Sequence, residues 1–154
     1  MSHSLTKIWI HAVFSTKNRE PLIHSAVEER IYVHIREHLQ SDFECTVRSI
    51  NGMPDHIHIL FLLNPNYAVK DILKNVKGES SHWVNQNNIF KTKFAWQTGY
   101  GAFSVNELNR EKVANYIRNQ KKHHRKKTYA EEYEEFMKIH GLQFPPETDE
   151  SVIE

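Results

Sequence analysis

The chain has 154 residues, of which 39% are hydrophobic and 25% are charged, which is typical of a single globular domain and excludes a disordered chain. No apolar run approaches the roughly 20 residues that a membrane span requires. The N-terminus also lacks the pattern of a signal peptide, so we expect a cytoplasmic protein with no membrane partner. Cys45 is the single cysteine, which excludes an intrachain disulfide and a multi-cysteine zinc site.

The net charge of +1 hides an uneven distribution. Residues 1–127 hold 19 Lys/Arg against 11 Asp/Glu, whereas residues 128–154 hold one Lys against eight Asp/Glu. A basic body predicts a polyanionic partner, and an acidic tail could compete for the same surface. A solvated face with a disordered tail is the simpler alternative. We divide the chain into a domain at residues 1–127 and an acidic, partly helical tail at residues 128–154, with a short helix at residues 128–140.

The first third of the chain predicts two strands that flank a helix. Residues 5–16 alternate and are rich in β-branched and aromatic side chains, which favours a strand. Apolar residues at every fourth position predict a helix from an N-cap at Ser25 to Gln40. Residues 43–50 form the second predicted strand. Residues 51–55 then predict a turn slightly longer than the tightest hairpin loop, with Gly52 free to adopt a positive φ.

The run from His56 to Leu63 is apolar apart from two imidazoles, which predicts a central strand covered on both faces. Because side chains alternate along a strand, His56 and His58 share one face. Each buried imidazole needs a polar partner. The spacing alone therefore leaves two interpretations open, a metal or catalytic pair and two core histidines that are satisfied by hydrogen bonds.

The second half of the chain predicts two further helices and one strand. An amphipathic pattern predicts a helix from Ala68 to Asn85. An extended loop leads to a short strand near Ala102 to Val105. A capping-box pattern at Ser104 then opens a third helix at residues 107–122. The order β-α-β-β-α-β, followed by an appended helix, predicts an α+β fold with a ferredoxin-like antiparallel sheet.

The third predicted helix carries a possible second half of a site. Tyr116 and Gln120 are four residues apart and share a face. The residues expected to dock this helix are Leu108, Val113 and Ile117. Residues 118–127 include six Lys/Arg in ten positions, a density that suits contacts to phosphates. Taken alone, Tyr116 is more simply interpreted as a packing residue.

Four segments together resemble the small single-tyrosine HUH transposases of insertion sequences, the IS200-like family. They are IHAVFSTKNREPLI, INGMPDHIHILF, FAWQTGYGAFSV and VANYIRNQKKHHRKKT, and the resemblance spans about residues 5–140. In that family HUH denotes a histidine, a bulky hydrophobic residue and a histidine, which here is His56-Ile57-His58. The family's nucleophilic tyrosine is followed four residues later by a glutamine that completes the metal site. Those positions match Tyr116 and Gln120.

The resemblance implies a DNA transposase that cleaves and rejoins single-stranded DNA at hairpin-marked element ends. Tyr116, on the appended helix, would be the catalytic nucleophile and would form a 5′-phosphotyrosine. His56, His58 and Gln120 would hold Mg²⁺ or Mn²⁺, and the mixed nitrogen and oxygen donors suit Mn²⁺ well. No nucleotide cofactor is expected, which agrees with the absence of a phosphate-binding loop motif. Asp55, beside the histidine pair, is the nearest candidate for a general base.

The resemblance also implies a homodimer in which the tyrosine helix of one subunit completes the site of the other. Tyr116 would then not need to lie near His56 of its own chain. The candidates for contacts to the DNA backbone are Lys17, Arg19, Lys112, Arg118, Lys121, Lys122 and Arg125.

Two other functions compete with the transposase. One is a catalytically inactive relative that binds structured single-stranded nucleic acid, and the intact set of His56, His58, Tyr116 and Gln120 argues against it. The other is a zinc hydrolase that uses the histidine pair and a water nucleophile. It lacks an obvious third ligand and leaves Tyr116 without a role.

Overall fold

The computed structural model describes residues 4–122 and 129–141. The strands are β1 (Trp9–Ser15), β2 (Thr46–Met53), β3 (His56–Leu62) and β4 (Gly101–Val105). The helices are α1 (Ser25–Phe43), α2 (Val69–Gln86), α3 (Arg110–Arg118) and α4 (Tyr129–Ile139), with 3₁₀ turns at Lys17–Arg19 and Glu107–Asn109. Within these described residues, no helix is both long and apolar enough to cross a membrane. Helix α4 confirms the short helix that we predicted at residues 128–140.

The four strands form one antiparallel sheet in the order β2-β3-β1-β4. This order, with α1 and α2 connecting the strands, confirms the predicted ferredoxin-like βαββαβ arrangement. Strands β1 and β3 occupy the centre, so both of their faces are covered. The predicted burial of β3 is confirmed as well, since residues 57–61 are all buried.

Side chains of β3 alternate between two cores on opposite faces of the sheet. Ile57, Ile59 and Phe61 pack in a main core with the apolar faces of α1 and α2. The second core consists of Trp9, Leu60, Val105, Val113, Ala114, Tyr116 and Ile117, with Phe136 and Ile139 of α4 packed against it. Each fully buried aliphatic side chain contributes about 1.5–3 kcal/mol to folding. Leu60 lies in the second core, on the face of the sheet against which α3 packs, and His58 precedes it by two residues. The alternation therefore places His58 on this same face, called the α3 side below.

The hairpin between β2 and β3 is tighter than the sequence predicts. Met53 pairs with His56, so the loop consists of residues 54–55 alone. The expected positive φ at Gly52 is wrong, since this residue lies within β2 opposite Ile57. A Cβ atom at Gly52 would lie 2.2 Å from the carbonyl oxygen of His56. Glycine is therefore needed here because the two backbones approach closely.

Two predicted boundaries on either side of Glu44 also differ from the structure. Helix α1 continues past Gln40 to Phe43, whose side chain is buried in the main core. The helix is capped by Glu44, which adopts a left-handed conformation with φ of 51°. The chain then turns into β2. The second strand consequently begins at Thr46 and not at residue 43. Burial of an aromatic side chain in tertiary structure thus extends the helix beyond the local pattern.

The capping box predicted at Ser104 is wrong, because this residue lies in β4 opposite Ile10. Asn106 is the cap instead, and its side-chain oxygen accepts a hydrogen bond from the backbone N–H of Leu108 at 2.9 Å. The side chain of Leu108 is 90% exposed and does not dock the helix. Val113 and Ile117 are buried in the second core, as predicted.

We expect Gly52→Ala to destabilise the protein by at least about 2 kcal/mol, because the added methyl group meets backbone atoms that cannot rotate away. Gly78→Ala is the matched control, since a Cβ atom at Gly78 in α2 meets nothing within 4 Å. The control substitution should stabilise the protein by about 0.5–1 kcal/mol. Urea unfolding followed by circular dichroism measures both changes. Equal stability of Gly52→Ala and wild type would contradict this account of the hairpin.

Candidate active site

His56 is oriented by the residue that precedes it in the hairpin loop. Its Nδ1 lies 2.7 Å from Oδ1 of Asp55, and Arg19 donates to Oδ2 of the same carboxylate at 3.2 Å. A carboxylate only accepts hydrogen bonds when it is ionised, so Nδ1 of His56 carries the proton. In the neutral imidazole, Nε2 then carries the lone pair, which is the tautomer that a metal ligand requires.

The charge state of Asp55 follows from the same contacts. Partial burial raises the pKa of the Asp55 carboxyl, but the hydrogen bond from His56 and the Arg19 guanidinium outweigh it and lower the pKa to about 2. A carboxylate with this pKa is a weak base at neutral pH. Asp55 is therefore better suited to orienting His56 than to taking a proton from a tyrosine.

His58 belongs to a row of three imidazoles that the sequence analysis did not detect. Its Nδ1 lies 2.9 Å from Nε2 of His11 in β1, and Nδ1 of His11 lies 2.6 Å from Nε2 of His140 after α4. Burial, together with His140, lowers the pKa of His11 well below its ordinary value. Burial also lowers the pKa of His140 to about 4. Both imidazoles are therefore neutral at physiological pH.

The sequence does carry a signal for His11. Strand β1 has the sequence WIHAVFS, so His11 is an imidazole within an otherwise apolar strand, the same pattern that singled out the histidine pair. Antiparallel pairing places His11 opposite Leu60, on the face that also carries His58. No comparable local pattern marks His140.

Tyr116 and Gln120 lie on the same side of the sheet as the histidine pair. The ring of Tyr116 is edge-on to that of His58, with 5.7 Å between centroids. Helix α3 ends at Arg118 and helical geometry resumes at Gln120, so the predicted helix is interrupted at Asn119. Both residues are nonetheless buried, and the side chain of Gln120 lies close enough to influence the pKa of Tyr116. One chain therefore brings Tyr116 beside His58 without a second subunit.

The surroundings of Tyr116 favour its neutral form. Burial raises its pKa, the nearby side chain of Gln120 opposes that rise, and Glu132 and Glu135 of α4 add to it, so that the pKa is about 12. The ring of Phe136, on the same helix, lies 6.4 Å from that of Tyr116. The acidic segment of the chain thus packs directly against the candidate nucleophile.

The side chains near Tyr116 fit a divalent metal ion. The part of the chain that the structure describes contains no cluster of three His, Cys, Asp or Glu residues suited to a metal, so among these residues a third protein ligand would be of another type. The rings of His56 and His58 lie 5.1 Å apart, and each has a partner at Nδ1.

Gln120 is the candidate for the third metal ligand. It is 1% exposed, and its Nε2 has no hydrogen-bond partner among the described residues. Rotation of the amide by a half-turn exchanges its oxygen and nitrogen without changing its shape. A buried amide with an unsatisfied end is expected where a ligand completes its contacts. Two imidazoles and an amide oxygen suit Mn²⁺ and, less strongly, Mg²⁺.

The predicted DNA-contact residues divide into three groups. Those exposed at the surface are Lys17, Lys112, Arg118 and Lys122. Arg19 binds Asp55, and the ammonium group of Lys121 binds Glu28, Asn51 and the carbonyl of Gly52. These two cations therefore have structural contacts within the chain. Arg125 lies outside the described residues.

Comparison with known proteins assigns the chain to a family. The family model for IS200-like transposases matches residues 4–120, and the chain belongs to this family. The ISDra2 transposase TnpA of Deinococcus radiodurans is 24% identical over 115 residues, which cover 71% of this chain and 81% of that protein.

Two solved structures share the fold. A candidate transposase from Deinococcus radiodurans R1 superposes with a TM-score of 0.62 at 22% identity, covering 78% of this chain and 95% of the other. The REP-associated tyrosine transposase, solved bound to a REP hairpin, superposes with a TM-score of 0.60 at 16% identity. That match covers 100% of this chain and 98% of the other. At these identities the likeness establishes the fold.

The contacts of Asp55 predict a pH-dependent contribution to stability. Its pKa is about 2 in the folded protein against a reference value of 3.8. The ionised carboxylate therefore stabilises the fold above pH 4, and this contribution disappears as the pH falls towards 2. We expect the free energy of unfolding of wild type to fall by about 1–2 kcal/mol more than that of Asp55→Asn between pH 5 and pH 2.5.

Urea unfolding at a series of pH values measures this difference. Asp71→Asn, which removes an exposed carboxylate from α2, corrects for the loss of one negative charge. If the free energies of unfolding of wild type and Asp55→Asn changed equally with pH, the described contacts of Asp55 would be ruled out.

Proposed function

We propose that this chain is a transposase that cleaves and rejoins single-stranded DNA at hairpin-marked ends. Tyr116 is the nucleophile, and His56, His58 and Gln120 hold a divalent metal ion. The observation that carries the proposal is the position of Tyr116, whose ring lies 5.7 Å from that of His58. A buried tyrosine beside the imidazole of His58, with His56 on the same face of β3, supplies both a nucleophile and a candidate metal site. Membership of the IS200-like transposase family supports the reaction class.

The reaction exchanges one phosphodiester for another. The Oη atom of Tyr116 bonds to phosphorus while the bond from phosphorus to the 3′ oxygen breaks. The phenol loses its proton and the departing 3′ oxygen gains one, which leaves a 5′-phosphotyrosine and a free 3′-hydroxyl. Attack by a second 3′-hydroxyl reverses these steps and rejoins the strand. Because the number of phosphoester bonds is conserved, no nucleotide cofactor is required.

The chain's own residues prepare the nucleophile in several ways. With a pKa of about 12, Tyr116 is protected as a neutral phenol until substrate binds. A bound Mg²⁺ or Mn²⁺ supplies positive charge that polarises a phosphate oxygen and favours ionisation of a phenol. Burial of Tyr116 to 7% exposure limits access of water, which would otherwise compete for the phosphotyrosine.

Hairpin DNA is the proposed partner. The REP-associated tyrosine transposase with the same fold is described as bound to a REP hairpin. In this chain the exposed cations, Lys17, Lys112, Arg118 and Lys122, are suited to phosphate contacts. Binding through such contacts weakens steeply as the salt concentration rises.

Tyr116→Phe tests the nucleophile. The protein is incubated with labelled single-stranded hairpin DNA from its element's ends and with Mn²⁺, and is then run on a denaturing gel. We expect a covalent adduct with wild type and none with Tyr116→Phe, because phenylalanine keeps the ring but lacks the attacking oxygen. His58→Ala should also abolish the adduct.

Tyr67→Phe is the matched control, because Tyr67 is 41% exposed and lies in the loop before α2. This variant should form as much adduct as wild type. An adduct that persists in Tyr116→Phe would exclude this residue as the nucleophile. Tight DNA binding with no adduct in Mn²⁺ or Mg²⁺ would instead favour the inactive nucleic-acid-binding relative.

A mixing experiment tests the predicted homodimer and the placement of the tyrosine. Tyr116→Phe and His56→Ala are each inactive alone, and they complement each other only if the tyrosine of one chain serves the histidines of another. Because Tyr116 lies beside His58 of its own chain, we expect no adduct from the mixture. Sedimentation of the same samples with DNA reports whether a dimer forms. Recovery of the adduct on mixing would establish exchange of the tyrosine between subunits.

A further inference from the structure

We propose that Asn51 of β2 is a positioning residue for Gln120. Its side-chain amide holds the interrupted end of α3 against the sheet, and this contact sets the distance between Gln120 and the histidine pair. The inference rests on the proposed metal site and goes beyond it, because Asn51 is not among the proposed metal ligands. It is carried by two hydrogen bonds of the Asn51 amide, one with the carbonyl of Arg118 and one with the ammonium group of Lys121.

The end of α3 needs support from outside the helix. The helix ends at Arg118, and Asn119 departs from helical geometry with a ψ of 16°. The last carbonyls of a helix have no partners within it. At this break the N–H of Lys122 donates to the carbonyl of Asn119, three residues back, at 3.0 Å. The regular hydrogen bonds of α3 therefore do not by themselves fix the direction of the turn that carries Gln120.

The amide of Asn51 spans this break. Its Nδ2 donates to the carbonyl oxygen of Arg118 at 3.1 Å, and its Oδ1 accepts from Nζ of Lys121 at 2.9 Å. Arg118 and Lys121 lie on either side of Gln120 in the chain. One side chain thus fastens both sides of the interruption to β2.

The backbone of Asn51 is in turn paired with the strand of the histidine pair. Asn51 lies directly opposite His58 in the antiparallel pairing of β2 with β3. Ser49, two residues earlier on the same face of β2, has its hydroxyl 3.5 Å from the carbonyl oxygen of Ala114, one turn earlier in α3. Strand β2 therefore lies along α3 as far as the break. A shift of the turn relative to Asn51 is consequently a shift of Gln120 relative to His58.

A metal site is sensitive to small displacements of a ligand, because ligand distances have to stay within about 0.2 Å of their ideal values. Tyr116 lies before the break, in the regular part of α3, and is buried in the second core. Packing therefore holds Tyr116, whereas the turn after it depends on the contacts of Asn51. Removal of the Asn51 amide should displace the third metal ligand and leave the nucleophile in place.

A double-substitution cycle tests whether Asn51 acts through Gln120. Titration with Mn²⁺, followed by the electron paramagnetic resonance of the free ion, gives the affinity. We expect Asn51→Ala to weaken Mn²⁺ binding about tenfold when Gln120 is present. In the Gln120→Ala background the same substitution should weaken binding by less than about twofold, because the ligand that Asn51 positions is already missing. A merely structural role would give the same factor in both backgrounds.

Asn85→Ala is the matched control. The amide of Asn85 in α2 also makes two hydrogen bonds, with the backbone N–H of Phe94 at 2.8 Å and with its carbonyl at 2.9 Å. Helix α2 packs against the main core, on the face of the sheet away from His58. This variant should therefore keep the Mn²⁺ affinity of wild type. A loss as large as that of Asn51→Ala would indicate general damage and would overturn the proposal.

Asn51→Asp is a second variant of similar size. Its carboxylate can accept from Lys121 but cannot donate to the carbonyl of Arg118. It should weaken Mn²⁺ binding as Asn51→Ala does, and it replaces Asn51→Ala in every test if thermal unfolding shows that Asn51→Ala is not folded. Failure of both variants to fold would assign Asn51 to the stability of the whole chain and would overturn the positioning role.

Hydrogen exchange of the metal-free protein judges the role of Asn51 without any metal. The N–H of Lys122 reports on the turn, since it donates to Asn119, and the N–H of Ile117 reports on the regular part of α3. We expect Asn51→Ala to speed exchange at Lys122 about tenfold and to leave exchange at Ile117 unchanged. An unchanged rate at Lys122 would overturn the proposal.

The outcomes separate this inference from the proposed function. Equal losses of Mn²⁺ affinity in the two backgrounds, or no loss in either, would overturn the role of Asn51 while leaving the metal site intact. A wild-type protein that binds no Mn²⁺ would instead contradict the metal site. Exchange at Lys122 would then still decide whether Asn51 holds the turn.

Discussion

The alternation of side chains along β3 is the constraint on which the rest of this structure depends. Ile57, Ile59 and Phe61 fill the main core, so both histidines of the strand have to lie on the α3 side. A slip of one residue in the pairing with β1 would exchange the faces and place the imidazoles among aliphatic side chains. The two cores therefore fix the register, and the register fixes the histidine pair beside Tyr116.

Depth within the sheet then decides which partner each imidazole has. His56 begins the strand, close to the hairpin loop, where the Asp55 carboxylate remains partly exposed and pairs with Arg19. His58 lies deeper, and its Nδ1 lies 2.9 Å from Nε2 of His11 on the neighbouring strand. A neutral partner is favoured at this depth, because a buried carboxylate without a cation would be strongly destabilising. Both solutions place a hydrogen-bond partner at Nδ1.

The same burial governs the resting state of the site. Tyr116 is held as a neutral phenol by desolvation and by Glu132 and Glu135 of α4. The uneven distribution of charge along the chain thus has a local consequence, since negative charge from the acidic segment lies close to the candidate nucleophile. A polyanionic substrate would meet a basic α3 surface at Lys112 and Arg118 but negative charge at α4. The positive charge on α3 would attract DNA towards Tyr116, whereas the negative charge on α4 would repel it.

The sequence by itself determined the order of the strands and helices and the shared face of the two histidines. Each of these follows from periodicity within one element. It did not determine contacts between distant elements. Ser104 fits a capping box locally yet pairs in β4. His11 and His140 are 129 positions apart, and no local pattern relates them. Only the tertiary structure decided that they meet beside His58, because such contacts depend on how strands and helices pack and not on the propensities of their residues.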